Sequence, residues 1–161
     1  MTGGPARLEQ HVREVTGLST GIRLVDGSGL ADANKVAPVV FTSYLAAFPR
    51  TAAGRDYPLL LPANGTGTLR SLGQGLPETG VVRAKTGTIN NTSTLVGYLG
   101  RPEGMLVVAA MYNGSNTTRA RQAQWQLFRA LGADGVVIPP SDDAIDGDLV
   151  LPLQGSFTET R

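Results

Sequence analysis

A chain of 161 residues, 41% of them apolar and 17% charged, is long enough to bury one core and has a globular composition. Its formal net charge of +1, with basic residues spread singly, gives no general electrostatic case for nucleic acid or an anionic membrane as partner. It has no cysteine, which removes thiol catalysis, thiolate metal sites and disulfides together and leaves the compartment undecided.

The stretch Met1-Thr2-Gly3-Gly4-Pro5 has neither the basic nor the apolar region of a signal peptide, and no run approaches the roughly 20 apolar residues of a membrane span. An export address, where one is needed, is expected outside this chain. Residues 5–15 predict a helix: Pro5 suits the first helical position, Leu8, Val12 and Val15 recur at helical spacing, and Gly17 ends it. Ile22, Leu24 and Val25 predict a short strand running into the turn cluster Asp26-Gly27-Ser28-Gly29. A second helix is predicted from Pro38, with Phe41, Tyr44, Leu45 and Phe48 as its apolar stripe and Pro49 as its stop. Residues 49–80 are rich in proline and glycine and read as a long loop with one short helical piece at 68–72. Strands are predicted at about 81–88, 92–99 and 105–112, and the short turns between them make an antiparallel meander. A last helix runs to about Leu131, capped by Ser115 or Asn116 and closed by Gly132. Its expected buried face is Ala120, Ala123, Leu127, Phe128 and Leu131, with Trp125 at the edge. The tail, 133–161, carries two short apolar runs, 136–138 and 149–153, around an acidic turn.

Lys85 is one of two lysines and stands in Arg83-Ala84-Lys85-Thr86-Gly87-Thr88. A lone cation on a strand, followed at once by small hydroxyl and glycine residues, suits the capture of an anionic peptide end. Other polar groups read more plainly. His11 lies on the polar side of the first helix with no identifiable partner and is expected in solvent. Asn90-Asn91 reads as a hairpin turn. Asp142, Asp143, Asp146 and Asp148 read as a solvated acidic turn, because their spacing misses a calcium loop. Gly65-x-Gly67 and Gly73-x-Gly75 do not complete a dinucleotide fingerprint. No metal and no cofactor is required.

Three segments in this order, Asp26-Gly27-Ser28-Gly29-Leu30, Gly67-Thr68-Leu69 and Arg83-Ala84-Lys85-Thr86-Gly87-Thr88, resemble the C-terminal part of the penicillin-binding D-alanyl-D-alanine carboxypeptidases of serine-peptidase family S13. The resemblance covers about residues 8–131. It implies an α+β fold, the C-terminal part of the β-lactamase/transpeptidase-like architecture, over residues 1–132, with 133–161 as a tail. It implies cleavage of the D-Ala-D-Ala end of a peptidoglycan stem peptide through an acyl-serine, with β-lactams as competing ligands, in an extracytoplasmic setting. In that scheme Lys85 is the catalytic cation, beside the nucleophile and the substrate carboxylate. Thr86 and Thr88 hydroxyls bond that carboxylate, and the Thr88 N–H is an oxyanion donor. Gly87 leaves room for an approaching backbone, Ile89 touches the substrate side chain, and Ser28, Gly29 and Leu30 form a loop on the rim.

The departures from the family pattern carry equal weight. The family uses Ser-x-x-Lys, then Ser-x-Asn or Tyr-x-Asn, then Lys-Thr-Gly. None of the eight serines here has lysine three residues on or asparagine two residues on, and no tyrosine has asparagine two residues on. Ala31 stands where members often carry serine, and Asp32 where some carry a basic residue. The chain therefore resembles a C-terminal half, expected to be inactive alone. The missing motifs, and the remaining strands of the family's sheet, are expected in an N-terminal half. The sheet edge left open could be covered by the tail run 149–153, by a second copy, or by that half. The other reading is a non-catalytic, penicillin-binding-like module that binds peptides or partners.

Overall fold

In the computed structural model the described residues are 3–140. Helix α1, Gly4–Thr16, has proline in its first turn and stops at Gly17, whose φ of 70° is left-handed and whose N–H reaches the Arg13 carbonyl. Strands β1, Ile22–Arg23, and β2, Lys35–Val36, form a small antiparallel pair. Helix α2, Pro38–Ala47, continues into a turn of 3-10 helix, Phe48–Arg50. A short helix α3, Tyr57–Leu60, and a 3-10 stretch, Gly67–Gly73, break up the long connection to the sheet. That sheet is antiparallel, in the order β3 (Val82–Ile89), β4 (Thr92–Arg101), β5 (Gly104–Asn113), with Lys85 opposite Val96 and Thr88 opposite Ser93. Helix α4, Thr117–Leu131, closes the fold. The architecture is α+β, as the sequence predicts, and the sheet strands fall within two residues of their predicted ends.

The sheet is covered on both faces, and β4 shows why its sequence is almost continuously apolar. Leu95 and Leu99 point to one face, where they pack with Leu69, Leu72, Val82, Ala84 and Phe128 of α4. Val96 and Tyr98 point to the other, against Leu45 of α2 and Ile138. Gly97 sits between them because a Cβ there would lie 2.2 Å from the Arg83 carbonyl oxygen. The segment 136–138 folds back on the sheet: Val136 N–H donates to Gly100 O and Ile138 N–H to Gly80 O, without forming a regular strand. The run 149–153 and the Asp142–148 cluster lie outside the described residues.

Several expectations are corrected. Leu24 and Val25 are not strand residues, because their N–H groups are taken by side chains, Glu9 Oε1 at 2.5 Å and Asn34 Oδ1 at 2.8 Å, instead of a ladder. His11 is exposed as expected but is not without a partner. Its Nε2 lies 3.1 Å from the Tyr44 hydroxyl, and it packs edge-on against Tyr44 and Phe48. On α4, Ala123 and Leu127 are exposed, and the buried position between Ala120 and Phe128 belongs to Gln124. Its amide exchanges bonds of 2.9 Å with Ser93, Oγ to Oε1 and Nε2 to carbonyl, and donates at 3.0 Å to Ala110 O. A fully bonded amide is tolerated inside where an unpartnered one is not.

The β1–β2 connection is organised by Asp26. Its carboxylate accepts from Asn34 Nδ2 at 2.6 Å, Ser28 Oγ at 2.7 Å, and the Gly29 and Ala31 N–H groups, each at 3.1 Å. These donors, Asn34 foremost, hold the carboxyl at about 2.

Two outcomes are expected. The Asp26 value in the fold lies below the ordinary one near 3.9. Its contribution to loop stability is therefore full above about pH 4 and lost as pH falls through about 2. An NMR titration should place the Asp26 midpoint near 2, and Asn34→Ala should raise it; an ordinary midpoint in the unaltered chain counts against the loop as described. Gln124→Ala should lower unfolding stability by about 2 kcal/mol by stranding buried partners. Ser93→Ala added to it should cost little more in thermal unfolding.

Candidate functional site

Strand β3 lies at one edge of its sheet, and that edge is divided. Its first half is sealed. Asn64 N–H donates to Val82 O at 2.9 Å, and Ala84 N–H donates to Pro62 O at 3.0 Å. The buried Asn64 side chain accepts from the Gly80 and Val82 N–H groups, each at 2.9 Å, and donates to Glu78 O at 2.8 Å. Beyond Ala84 the covering segment ends. Backbone polarity alternates along a strand, so the N–H and C=O groups of Thr86 and Thr88 face the same outer side as those of Val82 and Ala84. They have no main-chain partner among the described residues.

A cleft of about 1340 Å³ opens along this free half. All eight residues singled out from the sequence line it: Ser28, Gly29 and Leu30 from the β1–β2 loop, and Lys85, Thr86, Gly87, Thr88 and Ile89 from β3. Side-chain alternation puts Lys85, Gly87 and Ile89 on the face carrying Thr94 and Val96, and Thr86 and Thr88 on the α4 face. An occupant of the edge is thus within reach of groups from both faces. The Lys85 ammonium curls to the edge and donates to Thr86 O at 2.6 Å. It makes no ion pair among the described residues, so its charge is available to an anion.

Two of these residues also have a structural part. A Cβ on Gly87 would lie 2.5 Å from Thr94 Oγ1, so the space beside this glycine is already filled from β4. The Ser28 hydroxyl donates to Asp26 and accepts from Leu30 N–H at 3.3 Å, which makes it a loop-shaping group; Leu30 itself is 72% exposed at the rim.

Sequence reasoning missed a clasp across the cleft. Asn90, at the β3–β4 turn with φ 39°, donates through Nδ2 to both Asp32 carboxylate oxygens at 2.9 Å. Asparagine tolerates this left-handed backbone better than most residues. It also missed Arg121, whose Nη2 donates to Thr88 Oγ1 at 3.2 Å. The only signal for either was a polar residue near a turn or helix start, and neither names its partner. Among the described residues no three His, Asp or Glu side chains converge on a metal-sized site.

Comparison with known proteins gives a concordant result. Residues 4–132 match the D-Ala-D-Ala carboxypeptidase 3 (S13) family. The chain is 34% identical over 102 residues to a D-alanyl-D-alanine carboxypeptidase of Actinomadura sp. (strain R39), covering 60% of this chain and 19% of that protein. It therefore spans about a fifth of that relative's length. Two solved predatory endopeptidases of Bdellovibrio bacteriovorus share the fold. Bd3459 superposes with a TM-score of 0.67 at 18% identity over 86% of this chain and 42% of its own. Bd0816, solved in complex with an immunity protein, gives 0.64 at 20% identity over 81% and 36%. With the family match running through all three sequence segments, two of which line the cleft, the chain belongs to the S13 D-Ala-D-Ala carboxypeptidase family.

Proposed function

We propose that this chain supplies the substrate-binding strand of a serine-type D-Ala-D-Ala carboxypeptidase or endopeptidase acting on peptidoglycan stem peptides. The observation that carries the reading is the half-open edge of β3, with a free cation beside it. An extended peptide adds to such an edge as a further strand, main chain to main chain. The stem peptide lies along residues 86–88, with its terminal carboxylate held by Lys85 and by the Thr86 and Thr88 hydroxyls. Ile89 meets the peptide's side chain, and Ser28, Gly29 and Leu30 wall the opposite rim. β-Lactams enter the same place; one Bd3459 structure is of the penicillin G acylated form.

The chemistry follows family logic. A serine hydroxyl adds to the carbonyl carbon of the D-Ala–D-Ala bond, its proton passing to the leaving amine as the C–N bond breaks. Water then hydrolyses the acyl-serine. The Thr88 N–H faces outward at the edge and serves as one donor to the developing oxyanion. The Lys85 ammonium stabilises the adjacent negative charge. The nucleophile is not in this chain: Ser28 is committed to Asp26, and no serine stands three residues before a lysine. An N-terminal half carrying Ser-x-x-Lys and Ser-x-Asn completes the site and adds its strands to the outer edge of β5, which no described segment pairs with. The whole protein works outside the cytoplasm, where peptidoglycan is.

Incubation of the 161-residue chain with a fluorescent penicillin should leave it unlabelled by mass. Addition of an N-terminal half bearing the missing motifs should produce label on that half's serine. Label on this chain alone refutes the assignment of the nucleophile, and failure of the pair to label favours a non-catalytic module. In the complete protein Lys85→Ala should slow acylation by about a hundredfold or more, the scale of losing one preorganised electrostatic group; stopped-flow acylation at wild-type rate removes Lys85 from the mechanism.

A further inference from the structure

Arg121 is an exposed residue of α4 with no acidic partner among the described residues. Its place is not accidental to the fold. Thr88 and Ser93 are cross-strand neighbours in the β3–β4 register. Gln124 is bonded to Ser93 through both ends of its amide. Arg121 precedes Gln124 by one helical turn, so the buried anchor that fixes α4 on β4 also carries the guanidinium out over the next strand. There its Nη2 donates to Thr88 Oγ1 at 3.2 Å.

A guanidinium only donates, while a threonine hydroxyl holds one proton and two lone pairs. Once Arg121 fills a lone pair of Thr88, the hydroxyl proton is left for another acceptor. The polarised O–H is the better donor for it. Lys85 reaches the same open edge from the opposite face of the strand. An anion lying along residues 86–88 therefore meets a cation from each face of the sheet, Lys85 at Thr86 and Arg121 at Thr88.

We propose that Arg121 is a positioning residue for the ligand's anionic end: it orients and polarises the Thr88 hydroxyl toward a peptide carboxylate and adds the second positive charge there. The proposal rests on the reading of β3 as a carboxylate-binding edge. The test is a titration of the 15N-labelled 161-residue chain with acetyl-D-Ala-D-Ala and, separately, with its C-terminal amide. The acid should shift the backbone signals of residues 86–89 and bind more tightly than the amide. Arg121→Gln should weaken binding of the acid about fivefold, the size of a solvent-screened ion pair, and leave the amide unaffected. Arg121→Lys should retain part of the preference, and in a Thr88→Val background Arg121→Gln should have little further effect. Undiminished binding of the acid by Arg121→Gln, with the wild-type preference present, overturns the role of Arg121 alone. No preference for the acid in the wild-type chain overturns the carboxylate-edge reading and this inference with it. Arg121 is exposed, so the variant's spectrum should otherwise superpose on the wild type's, and the Lys variant gives the same comparison with the charge kept.

Discussion

The site depends on how one edge strand divides its backbone hydrogen bonds. An edge strand offers a row of N–H and C=O groups that must find partners, and an unprotected row invites association. In β3 the row is closed from inside the molecule up to Ala84 and has no main-chain partner among the described residues from Thr86 onward. The boundary falls at Pro62, which accepts from Ala84 N–H and has no N–H of its own to carry the pairing on; Asn64 secures the other, sealed end. Its side chain mimics a stretch of backbone, accepting from Gly80 and Val82 and donating to Glu78, so the chain turns away from β3 without leaving orphaned groups. The cation, the hydroxyls and the glycine then fall on the free part.

The second constraint is the fit of the helices to the sheet. β4 is buried on both sides, so the two halves of the core communicate through one strand. On the α4 side the contact includes a polar lock, Gln124 on Ser93, that permits little sliding, because a displaced amide leaves several buried groups unpaired. Tyr98 does similar work on the α2 side, its hydroxyl donating to Leu45 O at 2.8 Å. Burial raises that phenol's pKa far above its ordinary range and keeps it a donor.

Much of the fold was legible from local pattern. The meander strands, the ends of α1 and α4, and the order of the segments around Ser28 and Lys85 follow from turn residues, apolar runs and short motifs. The illegible part consists of polar residues whose partners are distant in sequence. Asn64 falls in what reads as a long loop, Gln124 is absent from the expected buried face of its helix, and His11 reads as a ring without a partner. Their partners lie 18, 31 and 33 residues away. The swap of Leu127 for Gln124 in the buried face has the same origin: apolar periodicity cannot anticipate a polar residue whose needs are met by another strand. Leu24 and Val25 look like strand residues for a related reason, because the side chains that capture their N–H groups come from α1 and from Asn34.

The clasp between Asp32 and Asn90 has a consequence for recognition. It joins a surface loop to the tip of a hairpin across 58 residues of chain, so the two walls of the cleft are tied at one end. A wall held this way has already surrendered much of its conformational freedom before a ligand arrives, and less ordering remains to oppose association. The width of the slot is then an inherited dimension of the empty protein, set by one amide and one carboxylate. A guest too broad for it must break that pair to enter.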